Sequence, residues 1–360
     1  MAKTKATTKI NTAFDTLYLS AHLPEEVSIK TEAAQLEINI FVDNKKVFRS
    51  VYYPYEKMIY VRDIRSIVEA SMFERQLVMA TLKIDVYEPL KTSTTTTVEF
   101  GSDGSATPAA SVKEVKVVYC RFKSSEGSAG FLNNNFLTTR ASALIPRDGQ
   151  LKLSNYTKAY VQSNNRVLIY YSATDTPDDV QTYETSLGKN QSTKEDIITA
   201  DLSHKYFKKM VDQGVHTDSI IKGVEYQIGG RYFNIFFTDE QPTETFKFLN
   251  AFNIMETAYL YNTTTVKTEI DRSEAVCGQQ TQFYDETVKV KHEVETAPLT
   301  SSEATWLNQM LTSKLVKVLI DGYTAVPVLI SDISSEVSDS DKELIRLKFT
   351  WVFVDGTEWI

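Results

Sequence analysis

At 360 residues the chain is long enough for two or three domains, and 42% hydrophobic with 11% aromatic content suits packed cores rather than disorder. A formal charge of −8 argues against the broad basic face that grips phosphate backbones, so no nucleic-acid partner is expected. With only Cys120 and Cys277, a disulfide framework and a thiolate zinc cluster are excluded, and no window approaches the ~18 apolar residues of a membrane span.

In chain order, residues 1–13 read as a polar, Lys- and Thr-rich flexible arm without the apolar run of a secretory signal. LEINIFVDNKKVFRSVYY alternates Leu36, Ile38, Ile40 and Val42, turns at Asp43-Asn44 and returns as a second strand. RDIRSIVEASMF predicts a helix capped by Asp63, with Ile64, Ile67, Val68 and Met72 on its buried face. QLVMATLKIDVY is the next strand. Residues 90–111, rich in Thr, Ser, Gly and Ala, predict a long exposed loop before the strand VKEVKVVYCRF.

SSEGSAGFLNNNFLTTRAS reads as a second polar loop carrying Phe131, Leu132, Phe136 and Leu137. These four either tuck back onto the domain or form a subunit interface, because apolar clusters are rarely left bare on a monomer. Hairpin-like turns follow at Asp148-Gly149 and Asn164-Asn165, closing an N-terminal β domain over residues 14–173. Residues 174–217 read as a linker with a short helix stopped by Gly214. The C-terminal β domain, 218–360, opens with the hairpin VEYQIGGRYFNIFF around Gly229-Gly230, where a type I′ turn requires positive φ twice.

Thr300 and Glu303 form a capping-box pair ahead of a helix over 301–312, with Ala304, Leu307, Met310 and Leu311 on one face. Asp321-Gly322 marks a tight turn, and a long hairpin over 325–354 turns at Ser338-Asp339-Ser340-Asp341. The whole predicts a mainly β protein: two antiparallel β-sandwich or β-barrel-like domains with a few short helices.

No catalytic constellation stands out. His22, His204, His216 and His292 are scattered, and the hydrolase, nucleotide and dinucleotide fingerprints are missing, so neither an enzyme nor a cofactor is expected. Asp339-Ser340-Asp341-Lys342-Glu343 lacks the Gly and distal Glu of a calcium loop and reads as a solvated turn rather than a metal site. A rival reading is a carbohydrate- or surface-binding β-sandwich module, with Tyr52, Tyr53, Tyr55 or Tyr170, Tyr171 as a sugar platform.

The last third of the chain carries a resemblance. An F-x-N-x-x-x-x-x-E-T segment runs from Phe248 to Thr257, followed by a polar strand pair, a capped helix with Trp306-Leu307, and a long hairpin ending on Phe349-Thr350-Trp351. In this order the chain resembles tail-tip proteins, of the distal tail or baseplate-hub kind, from tailed phages and prophages of Bacteroidetes. The resemblance implies a structural virion protein, assembled in the bacterial host cytoplasm and resident in the virion tail. Its partners would be copies of itself in a homo-oligomeric ring and other phage tail proteins, with no membrane insertion and no catalytic residue. Long strands leave edges to be covered, and ring assembly is one way to cover them.

Overall fold

The computed structural model describes residues 8–90, 99–104, 106–158, 165–187, 195–214, 218–278, 280–334 and 345–354. It is mainly β, as the alternating patterns predict, and it divides into two units. One comprises residues 1–133 with 251–253, the other 134–250 with 254–360.

The first unit holds β1 (Lys9–Ile10), β2 (Leu17–Leu19), β3 (Glu26–Lys30), β4 (Leu36–Val42), β5 (Lys45–Tyr52) and β6 (Met58–Arg62). Helix α1 (Ile64–Glu74), β7 (Met79–Tyr87), β8 (Ala110–Val118) and α2 (Gly127–Asn134) follow. Two sheets, ordered β1-β3-β6 and β2-β8-β7-β4-β5, share one core in which Val27, Ile29, Ile38, Ile40 and the α1 residues Ile64, Val68 and Met72 meet. Asp43 and Asn44 take φ 46° and 61°, as the type I′ turn between β4 and β5 demands. Asp63 does not cap α1 with its side chain; it sits left-handed at φ 61° with no capping hydrogen bond. Lys9–Ile10 pairs with β3, so the end of the expected arm is a strand.

Ala251–Asn253 completes this unit: Phe252 stacks on Phe131 at 5.6 Å and meets Phe122 edge-on at 5.4 Å. The expected loop over 90–111 gives way to β8 from Ala110, and Gly101 within it is buried. Ser102 reaches the carboxylate of Glu37, a fully buried side chain of β4. Burial works to raise the Glu37 carboxyl, but hydrogen bonds from Ser102, Arg49 and Asn39 outweigh it and hold the group below the usual carboxylate range.

The second unit runs β9 (Ser142–Pro146), β10 (Lys152–Thr157), β11 (Asn165–Ala173), β12 (Gln181–Thr185), β13 (Asp196–Asp201), α3 (His204–Gly214), β14 (Ser219–Ile228) and β15 (Arg231–Thr238). It continues β16 (Glu244–Leu249), β17 (Met255–Leu260), β18 (Asn262–Cys277), β19 (Gln280–Thr296), α4 (Ser301–Leu311), β20 (Val316–Ile320), β21 (Thr324–Ser334) and β22 (Lys348–Phe353). A five-stranded sheet, β12-β11-β14-β15-β9, packs with α3 and the pair β10-β13 around one core. A seven-stranded sheet, β17-β16-β20-β21-β22-β19-β18, packs under α4 around another.

Several expectations change here. The division falls near residue 133, not between 174 and 217, because β12, β13 and α3 of the expected linker are built into the second unit. Asp148-Gly149 joins no hairpin: β9 pairs with β15 and β10 with β13, in different sheets. Gly214 ends α3 without a left-handed backbone; a Cβ there would lie 2.8 Å from the Tyr183 hydroxyl. Of Gly229-Gly230 only Gly229 takes positive φ, the pattern of a type II′ rather than a type I′ turn. The capping box stands as expected, Thr300 Oγ1 accepting from the Glu303 amide and Glu303 accepting from the Thr300 amide. The turns at 164–165 and 338–341, His216, and the acidic run to Glu343 fall wholly or partly outside the described residues.

Candidate interaction surface

The longest strands of the chain, β18 and β19, pair antiparallel from Asn262↔Thr296 to Cys277↔Gln280. Among the described residues only their base belongs to the body of the sheet, because β22 pairs there with β19 through His292, Glu293, Val294 and Glu295. Beyond Lys291 the two strands continue as a two-stranded ribbon. At about 3.3 Å per residue, the stretch from Val266 to Cys277 is about 36 Å long.

The register sorts the ribbon's side chains onto two unlike faces, since directly opposed residues of a pleated pair share a face. Val266, Thr268 and Ile270 stand opposite His292, Val290 and Val288, and this face continues from buried Val294 and the sheet's core. The other face carries Lys267, Glu269 and Asp271 opposite Lys291, Lys289 and Thr287. Lys267 opposes Lys291, a like-charge pair, and diagonal acids relieve it: Glu293 lies 2.7 Å from Lys267 and Glu269 2.8 Å from Lys291. The Glu269 carboxylate raises Lys291 above the ordinary lysine range. The apolar face lies open, with Val266 55%, Ile270 51% and Phe283 58% exposed. Arg272 spans it, bonded to Glu286 at 2.6 Å and set over the Phe283 ring at 5.1 Å.

A buried polar knot fixes the sheet beneath. Glu256 of β17 accepts hydrogen bonds from Asn250 Nδ2 and Trp306 Nε1. Asn250 also donates to Leu137 O at 2.9 Å and accepts from the Ile254 amide at 3.1 Å, so its side chain is fully used. Arg140 lies over the Trp306 ring at 4.1 Å. Burial raises the Glu256 carboxyl, against the pull of Trp306, Asn250, Thr138 and Arg140, and the same burial pushes Arg140 down to about 10. Phe248, Asn250, Glu256 and Trp306, four of the residues that carry the family resemblance, thus form one contact, with Phe248 and Trp306 at 5.7 Å. Their role here is to hold β16, β17 and α4 together.

The sequence-predicted interface residues lie elsewhere and are not a bare patch. The expected loop around them contains α2; Leu132, Phe136 and Leu137 are buried and Phe131 is half-buried. Phe136 stacks on Tyr226 at 5.8 Å, and the Leu137 amide bonds Ser154 O at 2.8 Å. Of the tyrosine candidates, Tyr171 is buried with its hydroxyl on Gln181, Tyr52 and Tyr170 are half-buried, and Tyr53 and Tyr55 are 74% and 79% exposed.

The described histidines are structural in their bonding. The Ser124 amide donates to His22 Nε2 at 2.8 Å, so the ring proton sits on Nδ1 and faces Ser128 Oγ at 3.0 Å. A ring that donates to a serine does not activate it as a nucleophile. His204 Nε2 accepts from Arg147 at 3.1 Å, and His292 stacks on Trp351 at 3.7 Å. Among the described residues no group of three or more His, Cys, Asp or Glu gathers to hold a metal ion. None of the described helices is long and apolar enough to cross a membrane.

Sequence reasoning took the ribbon only as a polar strand pair and missed its apolar face. The signal was the spacing of Val266 and Ile270 against Val288 and Val290, which only the register turns into a face. No protein-family model matches the sequence, and no curated protein matches it. Among solved structures, the crystal structure of calcium binding domain CBD12 of CALX1.1 is similar over 62% of this chain and 96% of that one. Identity is 10% and the TM-score 0.16, too low to carry an argument.

Proposed function

We propose that this chain is a structural subunit of a phage tail, a ring-forming protein at the tail tip or baseplate that links the tail tube to the host-recognition apparatus. The observation that carries the reading is the β18–β19 ribbon: an isolated two-stranded ribbon in water is marginal, and an open apolar face on one asks for a neighbour. The order of motifs in the last third supports it. On this reading copies of the chain meet head to tail, and other tail proteins dock above and below. Sedimentation velocity and negative-stain electron microscopy of the purified chain test it. The expected result is a closed ring, and a monomer at every concentration overturns it.

Exposed Tyr53 and Tyr55, with Tyr60 nearby in sequence at 51% exposed, favour a second reading as a glycan-binding module. Binding to a glycan panel that Tyr53→Ala and Tyr55→Ala abolish, by a monomeric protein, would put that reading first.

A further inference from the structure

β18 is the terminal strand of the seven-stranded sheet, so its outer edge has no strand partner along all of Asn262–Cys277 among the described residues. Long bare edges are pairing sites unless they are blocked. Neither proline nor an early bulge blocks this one, since NTTTVKTEIDRSEAVC has no proline and its one register shift lies past Ser273; its charges, Lys267, Glu269, Asp271 and Arg272, bar only those partners that do not match them.

The part of that edge before the register shift at Ser273 is complementary to itself about Thr268. Set two antiparallel copies of β18 about a two-fold axis at Thr268. Lys267 then faces Glu269 of the second copy, and Glu269 faces Lys267. On the apolar face Val266 meets Ile270, and Ile270 meets Val266. Thr265 faces Asp271, Thr264 faces Arg272, and Thr268 faces its own copy, so no like charges oppose each other. Neighbouring registers fail. A shift of one residue sets the apolar face of one copy beside the charged face of the other. A shift of the axis to Lys267 puts lysine against lysine, and to Glu269 glutamate against glutamate, both unfavourable in direct opposition.

We infer that β18 pairs with β18 of a second copy across a two-fold axis at Thr268, joining the two ribbons edge to edge into a four-stranded sheet. The pairing gives Lys267 a directly opposed acid where its own β19 neighbour is Lys291. It also joins the two apolar faces into one strip, in which Val288, Ile270, Val266 of the second copy and His292 of the second copy stand in a row. The inference is independent of the ring, which is closed by head-to-tail contacts, whereas this contact is isologous.

A cysteine scan tests the register. Opposed Cα atoms of an antiparallel pair lie about 4.5–5.5 Å apart, within the span of a disulfide. Cys277 is exposed and is first replaced by Ser, while Cys120 is buried and stays. In that background Thr268→Cys, treated with oxidised glutathione, should give a covalent dimer on a non-reducing gel. Thr264→Cys should give little dimer alone, but should cross-link when mixed with Arg272→Cys. In parallel, Lys267→Glu should weaken association of the otherwise unaltered chain at least tenfold by sedimentation equilibrium. Equal cross-linking at 264 and 268, or no cross-link at 268, overturns the pairing. A cross-linked dimer that builds no ring removes the tail reading and keeps this one; a ring without the 268 cross-link does the reverse.

Discussion

The two ends of one hairpin behave differently. At its base, Val294 is 2% exposed and His292 lies flat on Trp351, because β22 supplies a third strand and the core under α4 receives the side chains. A few residues further out, Val288 and Ile270 repeat the same apolar alternation but stay 44% and 51% exposed. The local chemistry is alike, and the difference lies in what packs on it. Burial along this hairpin is decided by a strand distant in sequence.

The covered end should be by far the more sensitive to substitution. Trp306→Ala removes a ring packed on Phe248 and the donor to the buried Glu256 carboxylate. A loss of roughly 3–5 kcal/mol is expected, from cavity formation and an unsatisfied carboxylate together. Thermal denaturation followed by circular dichroism should show the transition falling by roughly 10 °C. Trp306→Phe, which keeps most of the packing, should recover more than half of that loss. A melting curve unchanged by Trp306→Ala would mean that the knot does not hold the sheet, and the contrast between the ends would collapse.

The features legible in the sequence were those whose causes are local. The turn at Asp43-Asn44, the capping box of Thr300 and Glu303, and the strands of the 224–237 hairpin rest on a few adjacent residues. Helix α2 escaped because GSAGFLNN has little helical periodicity, and its Leu132 is buried by tertiary packing. β12 and β13 escaped because QTYET and DIITAD are short, and they become strands by pairing with β11 and β10. The division near residue 133 was invisible for a related reason: Ala251–Asn253 belongs with a unit whose other residues precede it by more than a hundred positions. The ribbon lay in plain view as a polar strand pair, but its two faces depend on which residue opposes which.

Acid sharpens the comparison at a smaller scale, because covered ionisable groups respond to pH more than bare ones. Burial, aided by the Arg147 and Lys208 charges, lowers the His204 imidazole from 6.5 to about 4. The native state therefore favours the neutral ring, so the stability it supports is complete above about 6.5 and is lost as pH falls from there towards 4. Allowing for partial solvent contact, the loss should be roughly 1–2 kcal/mol. Urea midpoints at pH 7 and pH 5 measure it, and His204→Asn, which can still accept from Arg147, should flatten the difference. Glu256 runs the opposite way: its raised carboxyl favours the protonated native state, so its contribution is complete below the ordinary carboxylate value and fades as pH rises through the raised one. Glu256→Gln should remove that slope. The exposed ribbon pair Lys267–Glu293 should add little to stability, since solvent screens it.

The smallest effect on stability is also the most informative about the open end. Ile270→Ser removes an apolar side chain from the ribbon face, where half of its surface already meets solvent. If that face has no partner within the chain, little burial is lost and the unfolding free energy of the isolated subunit should change by no more than about 0.5 kcal/mol. Val294→Ala, which trims two carbons against three but from a covered site on the same hairpin, should cost roughly 1–3 kcal/mol. The order of the two is the test, because carbon count alone ranks them the other way. Association should reverse the order: Ile270→Ser should weaken self-assembly at protein concentrations where Val294→Ala, still folded, assembles normally. Should Ile270→Ser instead destabilise the dilute monomer as much as Val294→Ala does, the ribbon face is already covered within the chain, and the case for an outside partner there is lost.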